Sequence, residues 1–124
     1  MKDIRILVVD DVASMRLVTK SILMIDDYTN ITQATDGANA LVLLENEIFN
    51  LIICDWDMPN MNGLELLVEI RKHENLKNIP FLMLTGNTDQ EKVDTAIKAG
   101  VSDYVIKPIQ PSVLLEKIEK CLSD

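Results

Sequence analysis

At 124 residues, the chain is long enough for one hydrophobic core and too short for a second. Apolar residues make up 48% of the sequence and charged residues 26%, which indicates a packed globular domain and argues against disorder. The formal net charge of −8 at pH 7 argues against nucleic acid and anionic membranes as partners, because both favour a basic surface.

The sequence gives no sign of a membrane or secretory segment. No apolar run approaches the roughly 20 residues that span a bilayer, and strand-like sequence follows Met1 with no signal peptide. Cys54 and Cys121 lie in apolar surroundings and are interpreted as small core residues, not as a disulfide. These features predict a cytoplasmic protein.

Strand-like apolar runs alternate with helical patterns along the chain. Residues 4–9 are typical of a strand that is covered on both faces. Further strands are predicted at residues 31–35, 50–54, 80–84 and 102–106. The predicted buried faces of the five intervening and final helices are Met15, Val18, Ile22 and Ile25; Ala40, Leu41 and Leu44; Leu64, Leu67 and Ile70; Val93, Ala96 and Ile97; and Leu114, Leu115, Ile118, Cys121 and Leu122.

Two residues mark helix ends in this pattern. Gly100 is predicted to follow the fourth helix in a left-handed conformation. Pro111 is predicted to open the last helix, where its missing N–H has no cost. Five strands alternating with five helices predict a single α/β domain over residues 1–124, with a doubly wound, flavodoxin-like parallel sheet in the order 2-1-3-4-5.

In such sheets the ligand site lies at the carboxyl ends of the strands, where the strand order reverses. There the predicted strands end in Asp10 and Asp11, Asp55, Thr85 and Lys107. Three carboxylates about 5 Å apart repel by roughly 3 kcal/mol per pair at an effective dielectric of about 20. Oxygen ligands at an open rim therefore predict a bound Mg²⁺, with Mn²⁺ able to substitute.

Simpler interpretations exist for each acid on its own. Asp is a favoured N-cap, which accounts for one of Asp10 and Asp11 but not for both in succession. Asp55 is too far from the next helical pattern to be a cap, although a lone acid at a strand end can be incidental.

Together, the strand ends suit phosphoryl transfer, which depends on positioning and on neutralising the equatorial oxygens. A carboxylate such as Asp55 is a known type of phosphoryl acceptor. The cation, the Lys107 ammonium and the Thr85 hydroxyl would each bind one equatorial oxygen of the phosphoryl group.

Four segments resemble the receiver domains of two-component response regulators, over essentially the whole chain. They are VVDD (8–11), DWDMPNMNG (55–63), LT (84–85) and KAG…YVIKP (98–108). The DWDMP and MNG pieces, with the MRLV segment that follows the acidic pair, are most similar to the CheY-like chemotaxis branch.

The resemblance implies a role for each matching residue. These roles are phosphoacceptor for Asp55; metal ligands for Asp10, Asp11, Asp55 and the backbone carbonyl of Asp57; phosphoryl partner for Lys107; and switch residues for Thr85 and Tyr104. It also implies a cis Lys107–Pro108 bond and no organic cofactor.

The sequence departs from the family pattern at several positions. Gly86 stands where many members have Ala and should loosen its loop, and Ile109 stands where Phe is common. Asp57 and Asn87 occupy two positions that tune dephosphorylation, so the lifetime of the phosphorylated state stays open.

The function implied is a phosphoacceptor switch that catalyses only its own phosphorylation and dephosphorylation. A CheA-like histidine kinase is the expected donor and a separate protein, such as a flagellar motor switch component, the expected target, with a phosphatase as a further partner. The signalling face is predicted on the fourth helix, fifth strand and fifth helix, at Gln90, Asp94, Lys98, Tyr104 and the exposed side of residues 112–120. The protein is expected to be a monomer without an output domain of its own.

Three other functions share features with this sequence. The nearest is a phosphorelay intermediate that passes its phosphoryl group to a histidine phosphotransfer protein. A phosphatase of the haloacid dehalogenase type is disfavoured, because Pro59 replaces the Thr or Val required after Asp55-x-Asp57. A flavodoxin-like FMN carrier is disfavoured because Asp10 and Asp11 would repel the FMN phosphate.

Two further residues have alternative interpretations. Trp56 is expected at the rim of the pocket, either packed partly on the surface or in contact with a partner. His73 is expected to be a solvated residue at the end of the third helix and not a phosphate carrier.

Overall fold

The computed structural model describes residues 2–86 and 89–123, which form one five-stranded sheet and the helices around it. The strands are β1 (Lys2–Val9), β2 (Tyr28–Ala34), β3 (Leu51–Asp55), β4 (Phe81–Thr85) and β5 (Asp103–Ile106). The helices are α1 (Ala13–Ile25), α2 (Gly37–Asn46), α3 (Gly63–Lys72), α4 (Gln90–Lys98) and α5 (Pro111–Leu122).

All neighbouring strands are parallel, and their order is β2-β1-β3-β4-β5. The predicted doubly wound fold is therefore confirmed. The order reverses at β1, whose neighbours are β2 and β3, so the topology places a crevice at the carboxyl ends of β1 and β3.

The sheet separates two apolar layers. Because side chains alternate along a strand, Ile52 and Cys54 of β3 face the helices α2, α3 and α4, whereas Leu51 and Ile53 face α1 and α5. Every residue of β3 and β4 is buried. Burial on both faces explains why these strands read as continuous apolar runs in the sequence.

The buried face of α1 differs from the predicted one. Thr19, Ile22 and Leu23 are buried, whereas Val18 is 45% exposed and Ile25 is 69% exposed. The prediction was right for Ile22 and wrong for Val18 and Ile25, because α1 has apolar residues around most of its circumference and spacing alone does not fix its orientation. Ile97 on α4 was also predicted to be buried and is 56% exposed.

The predicted helix ends are confirmed. Gly100 follows α4 with φ of +97°, and Pro111 occupies the first turn of α5. The sequence reasoning missed the capping box that opens α3, in which Asn62 accepts from the Glu65 N–H and Glu65 accepts from the Asn62 N–H.

Arg71, at the end of α3, is a structural clamp that was not predicted. Its guanidinium donates to the backbone carbonyls of Gly100, Lys77 and Ile79. These contacts join the loops that follow α3 and α4. Burial lowers the pKa of Arg71.

Both cysteines are free thiols: Cys54 is buried, as predicted, and Cys121 is half-buried. None of the helices in the described part of the chain has the length and hydrophobicity that crossing a membrane demands.

Candidate phosphoacceptor and metal site

Strand register places the candidate residues along one edge of the sheet. Val9 pairs with Cys54, Asp55 pairs with Leu84, and Thr85 pairs with Ile106. The residues that end β1, β3, β4 and β5 therefore lie side by side at the carboxyl edge, as the sequence predicted.

Three carboxylates meet at this edge. Asp10, Asp11 and Asp55 each have an oxygen within 4.8 Å of the other two. Asp10 is 1% exposed and Asp55 is 3% exposed, whereas Asp11 is exposed. The cluster thus has two buried acids, Asp10 and Asp55, and one exposed acid, Asp11, an arrangement that suits a partly hydrated cation.

The Asp10 side chain is held on one side only. Its Oδ1 accepts from the Val12 N–H at 2.9 Å, but its Oδ2 is buried without a hydrogen-bond partner among residues 2–86 and 89–123. Arg16 fixes the Asp10 backbone by donating to its carbonyl at 2.7 Å. A buried, orphaned carboxylate oxygen beside two other acids fits a divalent metal ligand.

Burial is the main reason that the pKa of Asp10 lies above its ordinary value of 3.8. The Val12 hydrogen bond opposes this rise, and the charge of Asp55 adds to it. The capping alternative fails, because the N-cap residue of α1 is Val12 and no side chain accepts from an N–H of the first helical turn.

Asp55 carries the one direct ion pair of the described site. The Lys107 ammonium lies 2.5 Å from Asp55 Oδ1, and the two side chains are 27% and 5% exposed. Burial raises the pKa of Asp55, and Lys107 opposes that rise. The negative charges of Asp57 and Asp11 raise the pKa further.

The ends of β4 and β5 complete the site. Thr85 is 3% exposed, and its carbonyl accepts from the Lys107 N–H at 2.8 Å. The Lys107–Pro108 peptide bond is cis, as the resemblance implied. Tyr104 is half-buried on β5. Thr85 ends β4 and Lys107 directly follows β5, so both lie at the carboxyl edge with the phosphoacceptor candidate.

The positions suggested to tune dephosphorylation have different outcomes. Asp57 is exposed in the loop after β3 and raises the pKa of Asp55. Asn87 lies outside the described residues. Gly86 is exposed, and a Cβ added there would contact nothing within 4 Å, so the backbone leaves room for the alanine that is common in the family.

Gly63 packs directly against the end of β3, whereas the sequence had indicated only a loop residue there. A Cβ at Gly63 would lie 2.6 Å from the Asp55 carbonyl oxygen and 2.8 Å from Met83 Sδ. The Gly63 N–H donates to the Trp56 carbonyl at 2.9 Å. The loop thus folds back onto the end of β3, and only glycine fits this close approach.

Trp56 was expected at the rim of the pocket, either packed partly on the surface or in contact with a partner, but its side chain is buried. It is 8% exposed and belongs to the apolar layer of α2, α3 and α4, with the Lys92 ammonium 5.9 Å from the ring centroid. His73 is exposed at the C-terminus of α3, as predicted.

The structure is a doubly wound parallel α/β domain whose switch point combines clustered carboxylates with a lysine and a hydroxyl. The described cluster has the oxygen donors to hold a divalent cation. A nucleophilic carboxylate, a paired lysine and a neighbouring hydroxyl are also the groups that phosphoryl transfer requires.

Comparison with known proteins identifies the family. Residues 6–119 match the response regulator receiver domain, and the chain belongs to this family. It is 42% identical to the chemotaxis protein CheY of Pseudomonas aeruginosa over 116 residues, 94% of each chain.

Two solved structures are similar throughout. The chemotaxis protein CheY4 of Vibrio cholerae is 33% identical, with a TM-score of 0.89 over 96% of this chain and 98% of the other. The receiver domain of a sensor histidine kinase from P. aeruginosa is 27% identical, with a TM-score of 0.89 over 99% of this chain and all of the other. That domain was solved with a magnesium ion coordinated in its active-site cleft.

The chain is therefore a CheY-like response regulator receiver domain of two-component signalling.

Proposed function

We propose that the protein is a chemotaxis-type phosphoacceptor switch in which Asp55 receives a phosphoryl group from a histidine kinase. The observation that carries the proposal is the 2.5 Å contact between Lys107 and Asp55 beside two further carboxylates. A structural ion pair alone does not account for the added acids, since the charge of one of them, Asp11, raises the pKa of Asp55 and destabilises its ionised form.

In the proposed reaction, an Asp55 carboxylate oxygen bonds to phosphorus while the bond from phosphorus to the donor imidazole nitrogen breaks. The imidazole keeps that electron pair and takes up a proton. Lys107, already beside Asp55, then pairs with a phosphoryl oxygen, and the Thr85 hydroxyl donates to another. Both groups act by position and charge, as phosphoryl transfer demands.

The residues present fit Mg²⁺, with Mn²⁺ as a substitute. Asp10, Asp11, Asp55 and the backbone carbonyl of Asp57 would hold it. When bound, the ion supplies positive charge that offsets both the acidic cluster and the incoming phosphoryl group.

We further propose that phosphorylation changes the face formed by α4, β5 and α5, through Thr85 and Tyr104. This face exposes Ile97 and Ile106, at 56% and 42%, and a groove beside Tyr104 that Val113 and Lys117 also line. Exposed apolar residues next to a groove are typical of a surface that binds another protein. The relatives that are named chemotaxis proteins support a motility target such as a flagellar motor switch component.

The donor in this proposal is a CheA-like kinase, and a phosphatase is a further candidate partner. The free thiols of Cys54 and Cys121 suit a reducing compartment, so we place the protein in the cytoplasm, as a monomer. Sedimentation at micromolar concentration tests the monomer, and a dimer would contradict it.

A phosphorelay role remains the alternative, because a similar receiver domain, with a magnesium ion in its active-site cleft, comes from a sensor histidine kinase. Incubating the phosphorylated protein with histidine phosphotransfer proteins distinguishes the two roles. Transfer back to a histidine would support the relay, and loss of label only to water would support the switch.

Trp56 fluorescence tests the site itself. We expect Mg²⁺ to quench the fluorescence and beryllofluoride, a phosphoryl mimic, to change it further. Asp55→Ala should abolish the beryllofluoride response, whereas Glu119→Gln, an exposed acid on α5, should leave both responses intact. A beryllofluoride response that survives in Asp55→Ala would remove Asp55 from the proposal.

A further inference from the structure

Lys117 makes three contacts with the part of β5 that carries Tyr104. Its ammonium donates to the Tyr104 carbonyl at 2.6 Å and to Asp103 Oδ1 at 3.2 Å. It also lies 4.9 Å from the centroid of the Tyr104 ring. The Lys117 side chain is 29% exposed and that of Asp103 24%. A partly buried lysine is thus held against the residue that the proposed switch has to move.

Asp103 makes the arrangement rigid. The same Oδ1 that accepts from Lys117 also accepts from the Tyr104 N–H at 2.8 Å. Because β5 is an edge strand, these contacts satisfy an N–H and a carbonyl that no neighbouring strand pairs. The ammonium is therefore fixed by one carboxylate and one backbone carbonyl, whatever the ring does.

We propose that Lys117 is a positioning residue for the Tyr104 ring and biases the domain towards its unphosphorylated arrangement. This inference rests on the proposed function, in which Tyr104 changes position when Asp55 is phosphorylated.

The bias follows from which contacts a ring movement would break. Rotation of the Tyr104 side chain leaves the bonds from Lys117 to the Tyr104 carbonyl and to Asp103 in place. It removes only the cation–π contact between the ammonium and the ring. The observed ring position is thus favoured by an interaction that the alternative position lacks.

The observed position belongs to the unphosphorylated state, because the Lys107 ammonium contacts Asp55 directly. In the phosphorylated state Lys107 would pair with the phosphoryl group. A contact that stabilises only the unphosphorylated state lowers the affinity for phosphoryl mimics, since a ligand shifts an equilibrium only by its differential affinity.

The test measures the apparent Kd for beryllofluoride at saturating Mg²⁺ in Lys117→Met. This change removes the charge and keeps most of the aliphatic stem. We expect binding to tighten by about fivefold, the lower end of typical coupling between sites. Lys117→Arg, which retains a cation over the ring, should stay within about twofold of wild type. The control is Lys72→Met, an exposed lysine on α3 outside the signalling face, and it should leave the Kd unchanged.

A second variant, Tyr104→Leu, distinguishes the proposed action on the ring from a purely structural role of Lys117. In Tyr104→Leu, which has no aromatic ring, adding Lys117→Met should change the Kd by less than about twofold. If Lys117→Met does not fold, Asp103→Asn takes its place. Its amide oxygen still accepts from the Tyr104 N–H, but the ammonium loses the negative charge of its partner and keeps only a neutral acceptor, so binding should tighten by about twofold.

The outcomes are distinct. Equal or weaker beryllofluoride binding by a folded Lys117→Met protein, or the same tightening in the Tyr104→Leu background, would overturn the inference. If wild type itself binds no beryllofluoride, the proposed function fails first, and the Lys117 role fails with it.

Discussion

Asp10→Asn should stabilise the metal-free protein. The Asp10, Asp11 and Asp55 oxygens lie within 4.8 Å of one another, so each ionised pair costs roughly 3 kcal/mol at an effective dielectric of about 20. The charge of Lys107 offsets part of this repulsion. In the variant, Asn Oδ1 still accepts from the Val12 N–H, and the new amide N–H₂ can donate to a neighbouring carboxylate. We expect a net gain of about 1–2 kcal/mol in the free energy of unfolding, or a rise in Tm of roughly 3–8 °C.

Urea denaturation in EDTA and in MgCl₂, at ionic strength matched with NaCl, measures this effect. Wild type should gain about 2.7 kcal/mol when Mg²⁺ is 100 times its Kd, whereas Asp10→Asn should gain little. The order of stability then reverses between the two buffers. Glu119→Gln, an exposed acid on α5, should be unaffected in both. If Asp10→Asn were less stable than wild type in EDTA, the carboxylate cluster would not be the source of repulsion that we infer.

The remaining predictions concern pH, packing and the Arg71 clamp. Burial raises the pKa values of Asp10 and Asp55 above 3.8, so the metal-free native state binds more protons than the unfolded state. Protonation of these two acids should therefore contribute its full stabilisation of the metal-free protein below about pH 3.8, and this contribution should be lost as pH rises through the raised pKa values. Titration calorimetry should accordingly show Mg²⁺ affinity falling as pH drops through the same range, and a pH-independent affinity would contradict the assignment. Gly63→Ala should destabilise the protein by about 1–3 kcal/mol, since its Cβ would lie 2.6 Å from a backbone oxygen; Gly86→Ala is the matched control and should be neutral, and equal urea midpoints would refute the packing argument. Arg71→Met should cost about 1–3 kcal/mol because three backbone carbonyls lose their donor, and an unchanged urea midpoint would show that these contacts contribute nothing.

The fold and the composition of the site could be predicted because both depend on regular features. Strands buried on both faces read as apolar runs, and parallel strands bring their carboxyl ends to one edge. Asp10, Asp55 and Lys107, though far apart in sequence, therefore had to meet once the strand order was inferred. The Val9–Cys54 and Asp55–Leu84 pairings supply this alignment.

Other features depend on tertiary packing that spacing does not encode. The face of α1 was misassigned because Val18 and Ile25 are apolar yet exposed. Trp56 was expected at the pocket rim because neighbouring residues in a strand point to opposite sides, but β3 is covered on both faces and ends one residue earlier. The contacts of Lys117 with Tyr104 depend on how α5 lies against an edge strand. A lysine side chain is long enough to reach many different partners, so the sequence does not indicate which one it contacts.

The central claim is that Asp55 is the phosphoryl acceptor. Intact-mass measurement after incubation with acetyl phosphate and Mg²⁺ tests it most directly, with Asp55→Asn as the variant and EDTA as the metal-free control. We predict that wild type gains the mass of one phosphoryl group, that EDTA prevents the gain, and that Asp55→Asn shows none. A phosphoryl adduct of equal yield in Asp55→Asn, or none in wild type with Mg²⁺, would contradict the account.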